Sequence, residues 1–322
     1  MQSSDKCIVG IGNALVDVVS SVEPETIQRH GLTPAAMHLI ESEAADRLYS
    51  EITPQTSQSG GSVANSIAHI GATGRASAFI GKIADDPLGG VFAEDMKLAG
   101  ATTPAPKLKN GVGTGRCVVL VTPDGERTMS TYLGAARELK PEDVEAAMPD
   151  DPGIVLIEGY LWDSPDGDAV IRTAADLARD AGAQVALTPS DAQCVERNHD
   201  SMSLFVKSDC DILIGNEAEV SALSGAARVD DSLAWARGHV GIAAVTMSER
   251  GSLVCDEEFT AHIGVRAVDA VVDATGAGDA YAAGFLNAIA SGANVSEAGM
   301  CGARMASGVI THFGARRAIQ TA

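Results

Sequence analysis

The chain has 322 residues, 45% of them hydrophobic, and a formal charge of −20 at pH 7 from 43 acidic and 23 basic side chains. Its size and apolar content fit one large α/β unit or two modest domains, with ample material for a core and no sign of a disordered composition. The acidity argues against a nucleic-acid partner, which requires clustered Lys and Arg, so a phosphate ligand has to be held by local backbone donors and a metal ion.

In chain order, Ile8 to Ile11 reads as a buried strand and Ala14 to Val22 as a second extended run. Gly10-Ile11-Gly12 hints at a dinucleotide fold and hence at a dinucleotide-dependent oxidoreductase. Against this, Leu15 stands where a third glycine belongs, and β-branched residues follow where a helix has to start. Asn13 and Asp17 lie at the junction of the two runs. A carboxylate there can accept hydrogen bonds from the vicinal hydroxyls of a ribose or other polyol, although an Asp after a strand is more often a turn or cap residue. Gly60-Gly61-Ser62-Val63-Ala64-Asn65 opens a helix to Ile70, where glycines permit close approach of a small polar ligand and Asn65 offers both a donor and an acceptor. A strand over Ala76 to Ile80 and a helix over Gly89 to Ala99 follow. Residues 14–44 and Gly115 to Leu133, with a hairpin signal at Pro123-Asp124-Gly125, read as antiparallel strands inserted into an alternating chain. They predict a small lid sheet over residues 14–44 and 109–135, inserted into one core formed by 1–13, 45–108 and 136–322.

From Gly153 the alternation is regular: strand Ile154 to Ile157, helix Asp168 to Ala181, strand Gln184 to Leu187, helix Ser201 to Lys207, strand Asp211 to Ile214. Helices over Glu217 to Leu223 and Ser232 to His239, a strand over Ala243 to Met247 and a turn at Glu249-Arg250-Gly251 complete the pattern. Repeated β-α units predict a doubly wound, mainly parallel sheet, whose ligands bind at the carboxyl ends of the strands. Asn216 and Glu219 share a helix face directly after a strand; their oxygens suit Mg²⁺, and the commoner use of Asn-x-x-Glu is a helix cap.

The most specific stretch is Asp273-Ala274-Thr275-Gly276-Ala277-Gly278-Asp279, which runs into an apolar helix over Ala280 to Ile289. Glycines bare the amides, and the helix adds the positive end of its dipole, so the turn reads as a phosphate cradle. Asp279, in the first helical turn, is the candidate general base. The same position is expected to keep it readily ionised and therefore a weak base, which suffices for a loose phosphoryl-transfer transition state. The 7 histidines form no metal-ligand spacing, and neither a Gly-x-x-x-x-Gly-Lys-Ser/Thr loop nor a serine elbow occurs. The dispersed cysteines (Cys7, Cys117, Cys194, Cys210, Cys255, Cys301) read as reduced thiols. With no signal-peptide pattern and no segment able to span a membrane, a cytoplasmic protein is expected.

These motifs resemble, in order, those of the ribokinase-like (PfkB-type) kinases of sugars and nucleosides, with Ala274 where the family usually has Thr or Ser. The resemblance implies a ribokinase-like fold, ATP and Mg²⁺ as cofactors with a monovalent cation such as K⁺ left open, and phosphoryl transfer to a hydroxymethyl group. It assigns catalysis to Asp279 with the amides of Gly276, Ala277 and Gly278, substrate binding to Asn13, Asp17, Gly61, Ser62, Asn65 and Thr275, and the metal to Asn216 and Glu219. Nucleotide contacts fall on Asn216, Gly278 and the Val245–Gly251 strand and turn, through Thr246, Ser248 and Gly251. Gly10 to Asp17, Tyr132 to Ala136 and Asp211 to Glu217 look like the adenosine kinase branch, with Leu133, Ala135, Tyr160 and Leu161 as candidates for a base pocket. Departures at Ala64 and Thr275 keep a free sugar or sugar acid (ribose, fructose, ketodeoxygluconate) open; a sugar acid needs a cation, for which Arg116 and Arg137 are candidates. The exposed edge of the lid sheet suggests a homodimer surface.

Overall fold

The computed structural model describes residues 6–34, 36–109, 111–123 and 126–316. Its strands are β1 (Cys7–Ile11), β2 (Leu15–Ser21), β3 (Met37–Leu39), β4 (Thr56–Gly60), β5 (Ser77–Ile80), β6 (Ala101–Thr102), β7 (Gly115–Val121), β8 (Arg127–Tyr132), β9 (Pro152–Glu158), β10 (Gln184–Thr188), β11 (Ile212–Asn216), β12 (Ile242–Thr246), β13 (Ser252–Asp256) and β14 (Thr260–Ile263). They form a nine-stranded sheet in the order β14-β13-β12-β11-β10-β9-β1-β5-β6 and a five-stranded sheet in the order β3-β8-β7-β2-β4.

The large sheet is parallel from β12 to β6, and β13 and β14 add an antiparallel edge. Its central strands are continuous apolar runs because helices cover both faces. Val155 and Ile157 of β9 pack into one layer with the Gly167–Asp180 helix, while Ile154 and Leu156 pack into the other with Phe285 and Leu286 of the Ala277–Ala290 helix. Strand order reverses at β1, which has β9 on one side and β5 on the other. A crevice opens at the carboxyl ends of strands at such a reversal.

The small sheet and the segments that build it differ from the sequence expectation in three ways, the first being a helix at Pro24–Arg29, started by its proline, where strand was expected. Second, the sheet's β7–β8 and β2–β4 pairs are antiparallel, but β2–β7 and β3–β8 are parallel. It also includes β4, whose sequence Thr-Ser-Gln-Ser-Gly has no apolar alternation and which lies outside the segments assigned to the lid. Of the expected Pro123-Asp124-Gly125 turn, Asp124 and Gly125 lie outside the described residues.

Candidate active site

The helix Ala277–Ala290 begins at Gly276, whose φ of 76° is left-handed. A Cβ at Gly276 would lie 2.5 Å from Ala315 Cβ, so only glycine fits between the turn and the carboxyl-terminal segment. At Gly278 an added Cβ would meet nothing within 4 Å. The N–H groups of Gly278 and Asp279 are in the first turn, where no carbonyl of their own helix can reach them. Of the expected amides, that of Ala277 is spent on the Ala274 carbonyl oxygen at 3.1 Å, so the turn presents those of Gly278 and Asp279, with the positive end of a helix dipole, to open space.

Asp279 reaches across to the Ser62–Gly71 helix. Its Oδ1 accepts from Ser62 Oγ at 2.7 Å and its Oδ2 from Asn65 Nδ2 at 3.0 Å. Two motifs read separately from the sequence thus meet at one carboxylate. The Ser62 helix is itself opened by Gly61, at φ 100°, where a Cβ would strike the carbonyl oxygen of Asn13 at 2.3 Å. The expected low basicity of Asp279 is not found. Removal from water raises its pKa to about 6, against the lowering effect of Ser62, Asn65 and the Arg316 guanidinium. The sequence shows the helix dipole and the donors but not the protein packed around them. Asp17 on β2 faces the same cleft. Burial lifts its carboxyl to about 6; the Arg316 charge opposes this and the Asp279 charge adds to it.

Two residues that the sequence reading missed complete the cleft. Glu158, at the end of β9, is 1% exposed, and its carboxylate accepts from the backbone N–H of Asn13 at 3.3 Å and of Val63 at 3.1 Å. It ties the ends of β1 and β9 to the start of the Ser62 helix. Burial raises it to about 7 despite those donors. Arg316 is likewise buried, and its Nε donates to Asn65 Oδ1 at 3.0 Å while its terminal nitrogen bonds Ser59 Oγ at 2.6 Å and Asp95 at 2.9 Å.

Asn216 and Glu219 form a reciprocal cap at the end of β11. Asn216 N and Nδ2 donate to the Glu219 carboxylate at 2.9 and 2.6 Å, and Glu219 N donates to Asn216 Oδ1 at 3.0 Å. The cap and ligand readings thus fall on the same atoms. Burial raises Glu219 to about 7, with Asp191 and Asp279 contributing their negative charge. Thr246 and Gly251 are half-buried and Ser248 is exposed in the hairpin from β12 to β13, which an Arg250–Glu217 ion pair fastens to the Asn216 helix.

Of the four expected base-pocket residues, two are half-buried and two lie in the core. Leu133 is half-buried, and Tyr160 is half-buried with its hydroxyl donating to Asp191 at 2.5 Å. Ala135 and Leu161 are 0% and 1% exposed, turned into the core by the short 3₁₀ helices Gly134–Glu138 and Gly159–Asp163. Thr275 is exposed and its hydroxyl bonds Asp273 at 2.8 Å. Arg116 does not face the substrate side. In the β2–β7 register Asp17 lies opposite Cys117 and Val16 opposite Arg116, so the pleat sends Arg116 to the other face. There it is paired with Asp46 between the rings of Tyr49 and Tyr132. Arg137 is exposed.

The pfkB family carbohydrate kinase model matches residues 35–322. The solved structure of adenosine kinase from Sinorhizobium meliloti superposes with a TM-score of 0.87 at 36% identity, covering 98% of this chain and 97% of that one. The Arabidopsis thaliana protein named "Probable fructokinase-2" is 26% identical over 254 residues, 74% of each chain. Guanosine-inosine kinase of Escherichia coli K12 is 26% identical over 244 residues, 70% of this chain and 54% of that protein. The dinucleotide reading of Gly10 and Gly12 falls: Ile67 and Glu158 fill the space above them, and a strand follows rather than a helix. Among the described residues no helix is long and apolar enough to cross a membrane.

Proposed function

The chain belongs to the pfkB family of kinases, ATP-using phosphotransferases that act on alcohol groups, and on that premise we propose that its acceptor is a ribose-containing nucleoside, adenosine, converted to AMP at the hydroxymethyl oxygen. The observation that carries this reading is the Asp279 carboxylate, held by Ser62 and Asn65 at the mouth of a glycine-opened helix, with the Asp17 carboxylate in the same cleft.

In this mechanism Asp17 accepts hydrogen bonds from the vicinal hydroxyls and so fixes the sugar. One Oδ atom of Asp279 takes the hydroxyl proton as the acceptor oxygen bonds to the γ-phosphorus of ATP and the bond from that phosphorus to ADP breaks, ADP leaving. A pKa of about 6 leaves the carboxyl mostly ionised at pH 7 and a stronger base than an exposed aspartate. The Gly278 and Asp279 amides face the charge on the transferring phosphoryl group. Asn216 and Glu219 fit a hydrated Mg²⁺: their oxygens already serve the cap, so they would hold the ion through its waters, and Glu219 gains from a nearby cation. When bound, the ion supplies neutralisation of the phosphate charge.

The similarity to an adenosine kinase at 36% identity over nearly the full chain supports adenosine as the acceptor. A sugar acid loses one of its two candidate anchors, because Arg116 is fixed on the far face of the small sheet. A free sugar such as fructose is the second reading, supported by the fructokinase relative. Four buried and two half-buried unpaired cysteines suit a reducing, cytoplasmic setting. The test is ADP release from MgATP with adenosine, other nucleosides, ribose, fructose and ketodeoxygluconate supplied one at a time. Turnover with adenosine but not with free sugars is expected; turnover with a free sugar alone would overturn the nucleoside assignment.

A further inference from the structure

Arg316 enters the cleft from the carboxyl-terminal segment, far in sequence from everything it touches. Its guanidinium is 6% exposed and spends its donors on Asn65, Ser59 and Asp95. The contact with Asn65 decides that amide's orientation: Oδ1 must face Arg316, which leaves Nδ2 aimed at Asp279 Oδ2. The same segment is fastened to the catalytic turn at Gly314, whose N–H donates to Asp273 at 2.8 Å, and at Ala315, which packs on Gly276 and whose carbonyl meets His69 Nε2 at 3.1 Å. We propose that Arg316 is a positioning residue of the phosphoryl-transfer site, which sets the Asn65 amide against the general base and supplies a fixed positive charge to the Asp17–Asp279 pair.

The proposal rests on the phosphotransferase reading with Asp279 as base. Arg316 acts from behind Asn65, without touching the reacting atoms. The charged and titratable groups around Asp279 come from several elements: Asp17 from β2, Glu158 from β9, Glu219 from the helix after β11, and Arg316 itself, beside Ser62 and Asn65 from the Ser62 helix. The Arg316 charge lowers both Asp17 and Asp279, and also lowers the neighbouring His69. Asp95 lies against Arg316 and partly cancels its field.

The test is the pH profile of kcat/KM, with kcat measured alongside. Arg316→Met is expected to reduce kcat roughly 10- to 100-fold through a misplaced amide. It should also move the acid limb to higher pH by roughly one unit, as loss of a nearby opposite charge does. Arg316→Lys keeps the charge but not the two-ended reach, so kcat should fall while the acid limb stays near that of the parent. Asp95→Asn provides an independent arm with the opposite sign: with its counter-charge removed, Arg316 acts more strongly and the acid limb should move to lower pH. An Arg316→Met enzyme whose acid limb coincides with the parent's overturns the proposal. If that variant does not fold, an Asp95→Asn profile that stays put or moves upward does the same. Absence of turnover in the unmodified protein would instead indict the underlying assignment, so the two failures are distinguishable.

Discussion

Replacing Glu158 by Gln tests how the cleft is assembled, because this buried carboxylate is the knot between β1, β9 and the Ser62 helix. Its pKa stands at about 7 against an ordinary 4.5, and burial is the largest cause. Between those values the unfolded chain is ionised while the folded protein keeps the proton, so folding takes up a proton and stability falls as pH rises. The contribution is full below about pH 4.5 and lost above about pH 7. At about 1.4 kcal/mol per pH unit, the rise amounts to about 3 kcal/mol. Glutamine does not titrate, but it can accept from only one of the Asn13 and Val63 N–H groups and turns its own NH₂ on the other, which costs roughly 1–3 kcal/mol at any pH. Urea unfolding of both proteins at about pH 5 and about pH 8 separates the terms. Glu158→Gln should be the less stable protein at the lower pH and should close most of the gap, or reverse it, at the higher one. Asp17, Asp279 and Glu219 titrate in the same sense, but they are common to both proteins and largely cancel in the difference. A stability difference that is equal at the two pH values would refute the reasoning.

Asp279→Asn should lower kcat roughly 10²- to 10⁴-fold while acceptor binding, followed by calorimetry, stays near the parent value. The rise of the parent's kcat/KM through about pH 6 should disappear with it; unchanged turnover would remove Asp279 from the role of base. The two glycines of the turn should separate fold from function. Gly276→Ala meets Ala315 and a left-handed backbone, so its melting temperature should drop. Gly278→Ala meets nothing in the protein and should melt like the parent, yet raise KM for MgATP; an unchanged KM would mean that this amide does not face a phosphate.

The parts of the site legible in the sequence are those whose physics is local. Gly61 and Gly276 announce the starts of their helices because their left-handed φ values are conformations other residues avoid. The central strands show themselves as apolar runs because both faces are covered. Pairing is not local: alternation assigns a residue to a face but names no partner strand, so the parallel β2–β7 pair and the polar β4 could not be read. Arg316 illustrates the same limit at the site. It is 251 residues from Asn65, whereas Arg116 and Arg137 lie beside the lid in sequence, and the pleat of β7 turns Arg116 away. The base strength of Asp279 follows the same rule. Helix dipole and hydrogen-bond donors can be read from seven residues and favour easy ionisation, while the opposing desolvation comes from the protein packed around the cleft, in which Asp17, Glu158 and Glu219 are raised as well. Folding brings Asp17, Glu158 and Asp279 together at the switch point of the sheet, with Glu219 at the end of β11 within the field of Asp279, and exclusion from water makes a motif that reads as a weak base into a stronger one.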